Sequence, residues 1–188
     1  VYASLDPGRD RYPGYAELDP FYERVGERLA AVPGVRSVVV AGGTPSSGTG
    51  LINVVRPAGA PEEEGVAVRH SLGGPGYFET LGLPLLRGRS FLPTDTRDAP
   101  AVAVVSAELG ERLFGGDDPL GRSVVVGTGE AATEMEIVGV AGEARMTYVR
   151  REAEPHLYGP IAQRPTRSRV VLARVGGDPT ALVEAVRA

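Results

Sequence analysis

Cysteine, tryptophan and lysine are all missing from these 188 residues. Without cysteine the chain can form no disulfide, no thiolate zinc site and no thiol nucleophile, though this does not assign a compartment. Without lysine there is no P-loop. The run Gly43-Thr44-Pro45-Ser46-Ser47-Gly48 lacks the GK[ST] ending that sets an ammonium on the phosphates, so ATP hydrolysis by this chain is not expected. All 20 basic residues are Arg, a bias that codon usage in a GC-rich genome explains. Its functional counterpart is an Arg-rich face for acidic partners, for which Arg145, Arg150 and Arg151 are the cluster considered. A net charge of −4 argues against nucleic acid, which calls for a basic face.

Long hydrophobic runs are also missing. The longest uncharged stretch, Ser37 to Val55, reaches the roughly 20 residues that span a bilayer. Its centre is GGTPSSGTG, too rich in Gly, Pro, Ser and Thr for a spanning helix. Val1 is not an initiator Met and no signal-peptide pattern follows it, so the sequence reads as a domain excised or processed from a longer protein. Any membrane anchor is expected outside it.

Apolar and turn residues are plentiful. The chain is 42% hydrophobic and 23% charged, ordinary values for one globular domain or two small ones. Asp19-Pro20 reads as an N-cap and first helical residue, followed by an apolar stripe at Phe21, Val25 and Leu29 that ends at Pro33-Gly34. Strands are expected over 35–41, 51–56, 65–71, 101–105, 123–126, 134–140, 156–158 and 169–175. Gly74-Pro75 opens a short helix closed by Gly82. Ser106 caps another, closed by Gly115-Gly116, and a last helix starts at Asp178-Pro179 and runs to the end.

Chemistry is hard to find. His70 and His156 are the only histidines, and no HExxH or comparable ligand spacing accompanies them, so structural or surface roles are expected. Ser46 and Ser47 lack the strained GxSxG elbow of a hydrolase. Asp95, Asp98, Asp117 and Asp118 lack calcium-loop spacing and are interrupted by Arg97 and Arg112, which makes them solvated turns. Nothing singles out two carboxylates as a glycosidase pair. Tyr77 and Phe78 could line an apolar groove, but beside Leu81 at helical spacing they read as core. No catalytic, cofactor-binding or metal-binding residue is therefore nominated.

The stretch GPGYFETLGLPLLRGRSFLPTD, from Gly74 to Asp95, closely resembles a signature of the MacB-like periplasmic core domain of MacB/FtsX-type ABC transporter permeases. The runs FYERVGERLAAVPGVRSVVVAGGTP, AVAVVSAELGERLFGGDDPLGRSVVV, EIVGVAGEAR and PHLYGPIAQ are similar to that family in the same order, from about Phe21 to Ala188. The resemblance implies an α+β fold of α/β character with two lobes. A porter-like βαβ lobe would take 1–72 and 160–188, and a small α/β lobe would be inserted over 73–159.

It also implies a non-catalytic extracytoplasmic domain of an inner-membrane protein, without cofactor. The domain would relay motion driven by a cytoplasmic ABC ATPase, acting through the permease helices, to a periplasmic adaptor or substrate. Both chain ends would then lie on the membrane side of the porter-like lobe, with partners meeting irregular loops farther out. Thr44, Ser46 and Ser47 in one such loop, and Arg145, Arg150 and Arg151 in another, are the expected partner contacts. The alternative is a free-standing periplasmic ligand-binding protein or hydrolase, which would need a concave polar site.

Overall fold

The computed structural model describes residues 2–5, 7, 8, 10, 12–43, 51–142, 155–167 and 169–176. In chain order the elements are β1 (Tyr2–Leu5), α1 (Tyr15–Ala30), β2 (Val35–Ala41), β3 (Leu51–Pro57), β4 (Val66–Gly73), α2 (Tyr77–Leu81) and β5 (Leu85–Gly88). They continue with β6 (Val102–Ser106), α3 (Ala107–Phe114), β7 (Ser123–Val126), β8 (Thr133–Ala141), β9 (His156–Pro160) and β10 (Arg169–Val175). The fold is mixed α+β, as expected. The helix expected from Asp178 lies outside the described residues.

A small sheet is made by β1, β10 and β2, paired antiparallel in that order. Its apolar face carries α1, whose Leu18, Tyr22 and Leu29 pack with Val171, Val38 and Val40. This corrects the expected cap. The helix begins at Tyr15, one turn before Asp19, because burying Leu18 and Tyr22 draws the preceding turn into the helix. Gly14 is the extended cap residue, and its N–H donates to Glu17 Oε2 at 3.1 Å. Pro20 is consequently interior and withholds one i→i−4 hydrogen bond. The buried stripe is rotated to Leu18, Tyr22 and Leu29, with Phe21 and Val25 only partly covered.

Six of the remaining strands form a ring, and β5 pairs antiparallel with β8 outside it. β4 pairs with β3, β3 with β7, and β7 with β8, all antiparallel. β8 pairs parallel with β6, β6 antiparallel with β9, and β9 parallel with β4, which closes the circuit. A ring this narrow is filled by its own side chains. Val55, Val68, Ala103, Val105, Val124, Val126, Met135, Ile137 and Leu157 form one buried cluster. One end is plugged by α3, which touches β3, β6, β8 and β9 and buries Leu109 completely. Ser106 caps that helix as expected, its Oγ accepting from Leu109 N at 3.1 Å, and Gly115 at φ 59° ends it in the left-handed region that favours glycine.

The three-stranded sheet and the ring share a single strand pairing, Ala41 with Gly73. Gly42 N donates to Leu72 O at 2.9 Å and Gly74 N to Val40 O at 3.0 Å, which extends the contact by a residue each way. β3 is hydrogen-bonded to β7 over 55–57 and β4 to β9 over 69–73, which ties both strands into the ring.

Candidate functional site

The residues nominated for partner contact, Thr44, Ser46, Ser47, Arg145, Arg150 and Arg151, all lie outside the described residues. Their flanks are described. Gly42 sits at the sheet–ring junction. Gly142, whose N–H donates to Pro84 O at 2.8 Å, and Pro155, whose carbonyl accepts from Arg69 N at 3.3 Å, lie at the ring end that α3 plugs. Tyr2 and Gly176 both belong to the small sheet. Gly176 N donates to Gly34 O at 2.8 Å, at the end of β2 and β10 remote from the ring.

The two histidines are brought onto neighbouring strands but onto opposite faces. His70 points into the ring, 2% exposed, where Asn53 Nδ2 donates to its Nδ1 at 3.0 Å. Burial, reinforced by the charge of Arg164 and by His156, lowers its pKa to about 3, so it is neutral at ordinary pH. His156 faces the other way, 2.9 Å from Ser71 Oγ and stacked on Tyr158. Among the described residues no cluster of His, Asp or Glu could hold a metal ion.

The acidic turns are engaged by arginines. Asp117 accepts from Arg122 at 3.0 Å, and Asp118 pairs with Arg87. Asp95 is the exception to the solvated reading, being 5% exposed. Arg89 clamps it through both oxygens at 2.8 and 3.0 Å, and Leu92 N donates to it at 2.8 Å. Burial disfavours its charge, but these donors outweigh that and hold the carboxyl below the usual range. The physical job of the Arg89–Asp95 stretch is thus to fasten a loop that carries Phe91.

Phe91 belongs to the core that matters most for how the halves are joined. Tyr77 and Phe78 of α2, both buried as expected, stand between the sheet and the ring. On one side they meet Val39, Ala41, Val170 and Leu172 of β2 and β10, and on the other Val104, Ala141 and Tyr158 of β6, β8 and β9. The rings of Phe78 and Tyr158 lie 5.2 Å apart and those of Phe78 and Phe91 5.5 Å apart. Gly82, at φ 68°, stops α2 so that Leu83 can turn back into the same core. A side chain at Gly73 would come within 2.3 Å of the Tyr77 ring, so the wedge also dictates that glycine.

An open sheet carrying a helix, joined through an aromatic wedge to a plugged ring, with no catalytic or metal constellation among the described residues, defines an extracytoplasmic domain of an ABC transporter permease once its relatives are set beside it. The chain belongs to the MacB-like periplasmic core domain family, which it matches over residues 3–188. A 67-residue stretch is 39% identical to the macrolide export ATP-binding/permease protein MacB 2 of Aeromonas hydrophila, covering 36% of this chain and 10% of that protein. The chain thus spans a small part of that relative.

Its fold is that of the periplasmic region of MacB from Actinobacillus actinomycetemcomitans, with TM-score 0.61, 15% identity, and 87% of this chain and 70% of that one aligned. The extracellular domain of the noncanonic ABC-type transporter YknZ from Gram-positive bacteria gives TM-score 0.58 and 20% identity over 87% of this chain and 76% of the other. A domain of a putative permease protein from Porphyromonas gingivalis gives 0.56 and 15% over 86% and 66%.

Proposed function

We propose that this domain is a non-catalytic mechanical relay, carrying motion of the permease helices, driven by a cytoplasmic ABC ATPase, to a periplasmic adaptor or substrate. The observation that supports it best is the α2 wedge, a single buried cluster drawing side chains from both the sheet and the ring. Close-packed interiors transmit displacement because they deform little. Two lobes joined this way would travel together when the sheet, which carries Tyr2 and Gly176, is moved.

The lobe division proposed here follows strand pairing, with 2–43 and 169–176 on one side and 51–160 on the other. Segments 43–49 and 145–151 remain the proposed partner contacts, with Thr44, Ser46, Ser47, Arg145, Arg150 and Arg151 as the residues involved. The second segment departs from the ring end farthest from Gly176. Adaptor capture should therefore weaken on charge reversal across 145–151 or on shortening of 43–49. Unchanged capture in both variants would remove these contacts from the proposal.

The relay itself is tested in the full transporter with spin labels at exposed Arg28 on α1 and exposed Glu63 before β4. The distance between them should stay constant through ATP turnover while both move relative to the membrane. A change between the labels as large as the movement of the whole domain would rule out rigid transmission.

A further inference from the structure

The sheet strand β2 keeps an open edge. Only its Ala41 pairs with β4, opposite Gly73, and Gly74 N donates to Val40 O before the chain turns into α2. In an antiparallel sheet, successive residues present their N–H and C=O groups to alternate sides of the strand. Val40 O faces the β4 side, so the N–H and C=O of Val38 and the N–H of Val40 face that side too, away from β10. None of these three groups has a hydrogen-bond partner among the described residues. An unpaired row of this kind is a template for another strand.

The edge opens onto a groove of about 350 Å³, lined by Val38, Val39 and Val40 in succession. Consecutive side chains of a strand point to opposite faces, so a groove touching all three runs along the side of β2. Its walls differ. Val38 and Val40 pack toward α1, where Asp19, Tyr22 and Glu23 stand, and Val39 packs toward Phe91, which is followed by Leu92 and Pro93. Leu92 is 45% exposed, a large apolar side chain left to solvent. The charge is unbalanced as well. Asp19 is paired with Arg169 and Asp95 with Arg89, whereas exposed Glu23 has no ion pair among the described residues. Arg169 is the only cation lining the groove.

We infer that this groove takes an extended segment of a partner protein as an added strand beside β2, with one basic side chain set between apolar ones. The segment runs antiparallel to β2 and continues the line that β4 leaves at Gly74. Main-chain bonds to Val38 and Val40 supply affinity, and the two walls read alternate side chains. Residues directly opposite each other share a face. The segment's residue opposite Val38 therefore points to the α1 wall, where a positive charge meets Glu23. Its two neighbours point to Phe91, Leu92 and Pro93 and are apolar. This site lies apart from segments 43–49 and 145–151, and it stands or falls separately from the relay reading.

The test pairs fluorescence anisotropy with amide hydrogen exchange on the whole chain, using the labelled peptide acetyl-Ser-Thr-Val-Arg-Val-Thr-Ser-amide. Binding should slow exchange at the Val38 and Val40 amides. N-methylation of the peptide's Arg removes the donor that faces Val38 and should weaken binding about tenfold or more. Exchanging that Arg for Glu should weaken it about fivefold, and Glu23→Gln should weaken the Arg peptide about threefold with an unchanged circular dichroism spectrum. Unslowed exchange at Val38 and Val40, or equal affinity of the N-methylated peptide, would overturn the added strand. Equal affinity of the Glu peptide would overturn the choice of a basic segment. Slowed exchange at Val38 in a dimer of the peptide-free chain would replace the partner protein with a second copy and so overturn the proposal.

Discussion

The small sheet and the ring are built from the same β-branched residues to opposite effect. In the ring every strand has at least two hydrogen-bonded neighbours, and one set of apolar side chains, Val55, Val105 and Leu157 among them, faces inward and onto α3. In the sheet β1 has one described neighbour, and burial comes from α1 on one face and the α2 wedge on the other. The first body is sealed by closure, the second by a helix that sits on top. The comparison teaches where rigidity comes from: closure and plugging in one half, a single amphipathic helix in the other, and an aromatic wedge between them.

The wedge offers the largest way to break this contrast. Tyr77→Ala empties a fully buried position facing both bodies, and should cost about 3–5 kcal/mol. Denaturant unfolding monitored from each half should lose a shared midpoint, whereas one unchanged cooperative transition would mean that the wedge does not couple them. Leu109→Ala, in the plug, should cost about 2–5 kcal/mol. Its hydrogen exchange should quicken in β3, β6, β8 and β9 ahead of β1, β2 and β10.

A smaller, pH-dependent effect distinguishes the ring's interior. The folded-state pKa of His70 is about 3, below the roughly 6.5 of an unfolded histidine. The unfolded chain therefore binds the extra proton first, and stability falls as pH drops from about 6.5 toward 3, by at most about 1.4 kcal/mol per pH unit. His70→Gln should flatten that slope in urea titrations, and a slope that persists would assign it to other groups.

The smallest effect belongs to the sheet. Arg169 has a side chain only 6% exposed, lies over the Tyr22 ring and donates to half-exposed Asp19 at 2.5 Å. Asp19→Asn should lower stability by only about 1 kcal/mol, since the carboxylate is solvated. The loss should be erased by high salt, as ring variants would not be.

Most elements could be read from the sequence because their signals are local. The Val35–Ala41 run, the Ser106 cap and the glycine stops needed no partner to be recognised. What failed to show was non-local. Tyr2–Leu5 is too short to announce itself and becomes a strand only because β10 lies beside it. Asp19-Pro20 has the chemistry of a helix start, yet the burial of Leu18 and Tyr22 extends the helix past it.

The junction at Gly73 carries one more implication, and it concerns inheritance. The chain leaves the sheet at Gly42, bonded to Leu72, and begins its return at Ile161, whose N–H donates to Gly73 O at 3.0 Å. Departure and return therefore sit side by side on Leu72 and Gly73 of β4, with a contiguous stretch of chain between them. A gene so arranged can exchange that whole stretch as a cassette, through two neighbouring splice points, without redrawing the strands that flank it. Lineages of such permeases would then be free to trade outer modules while keeping the same mount.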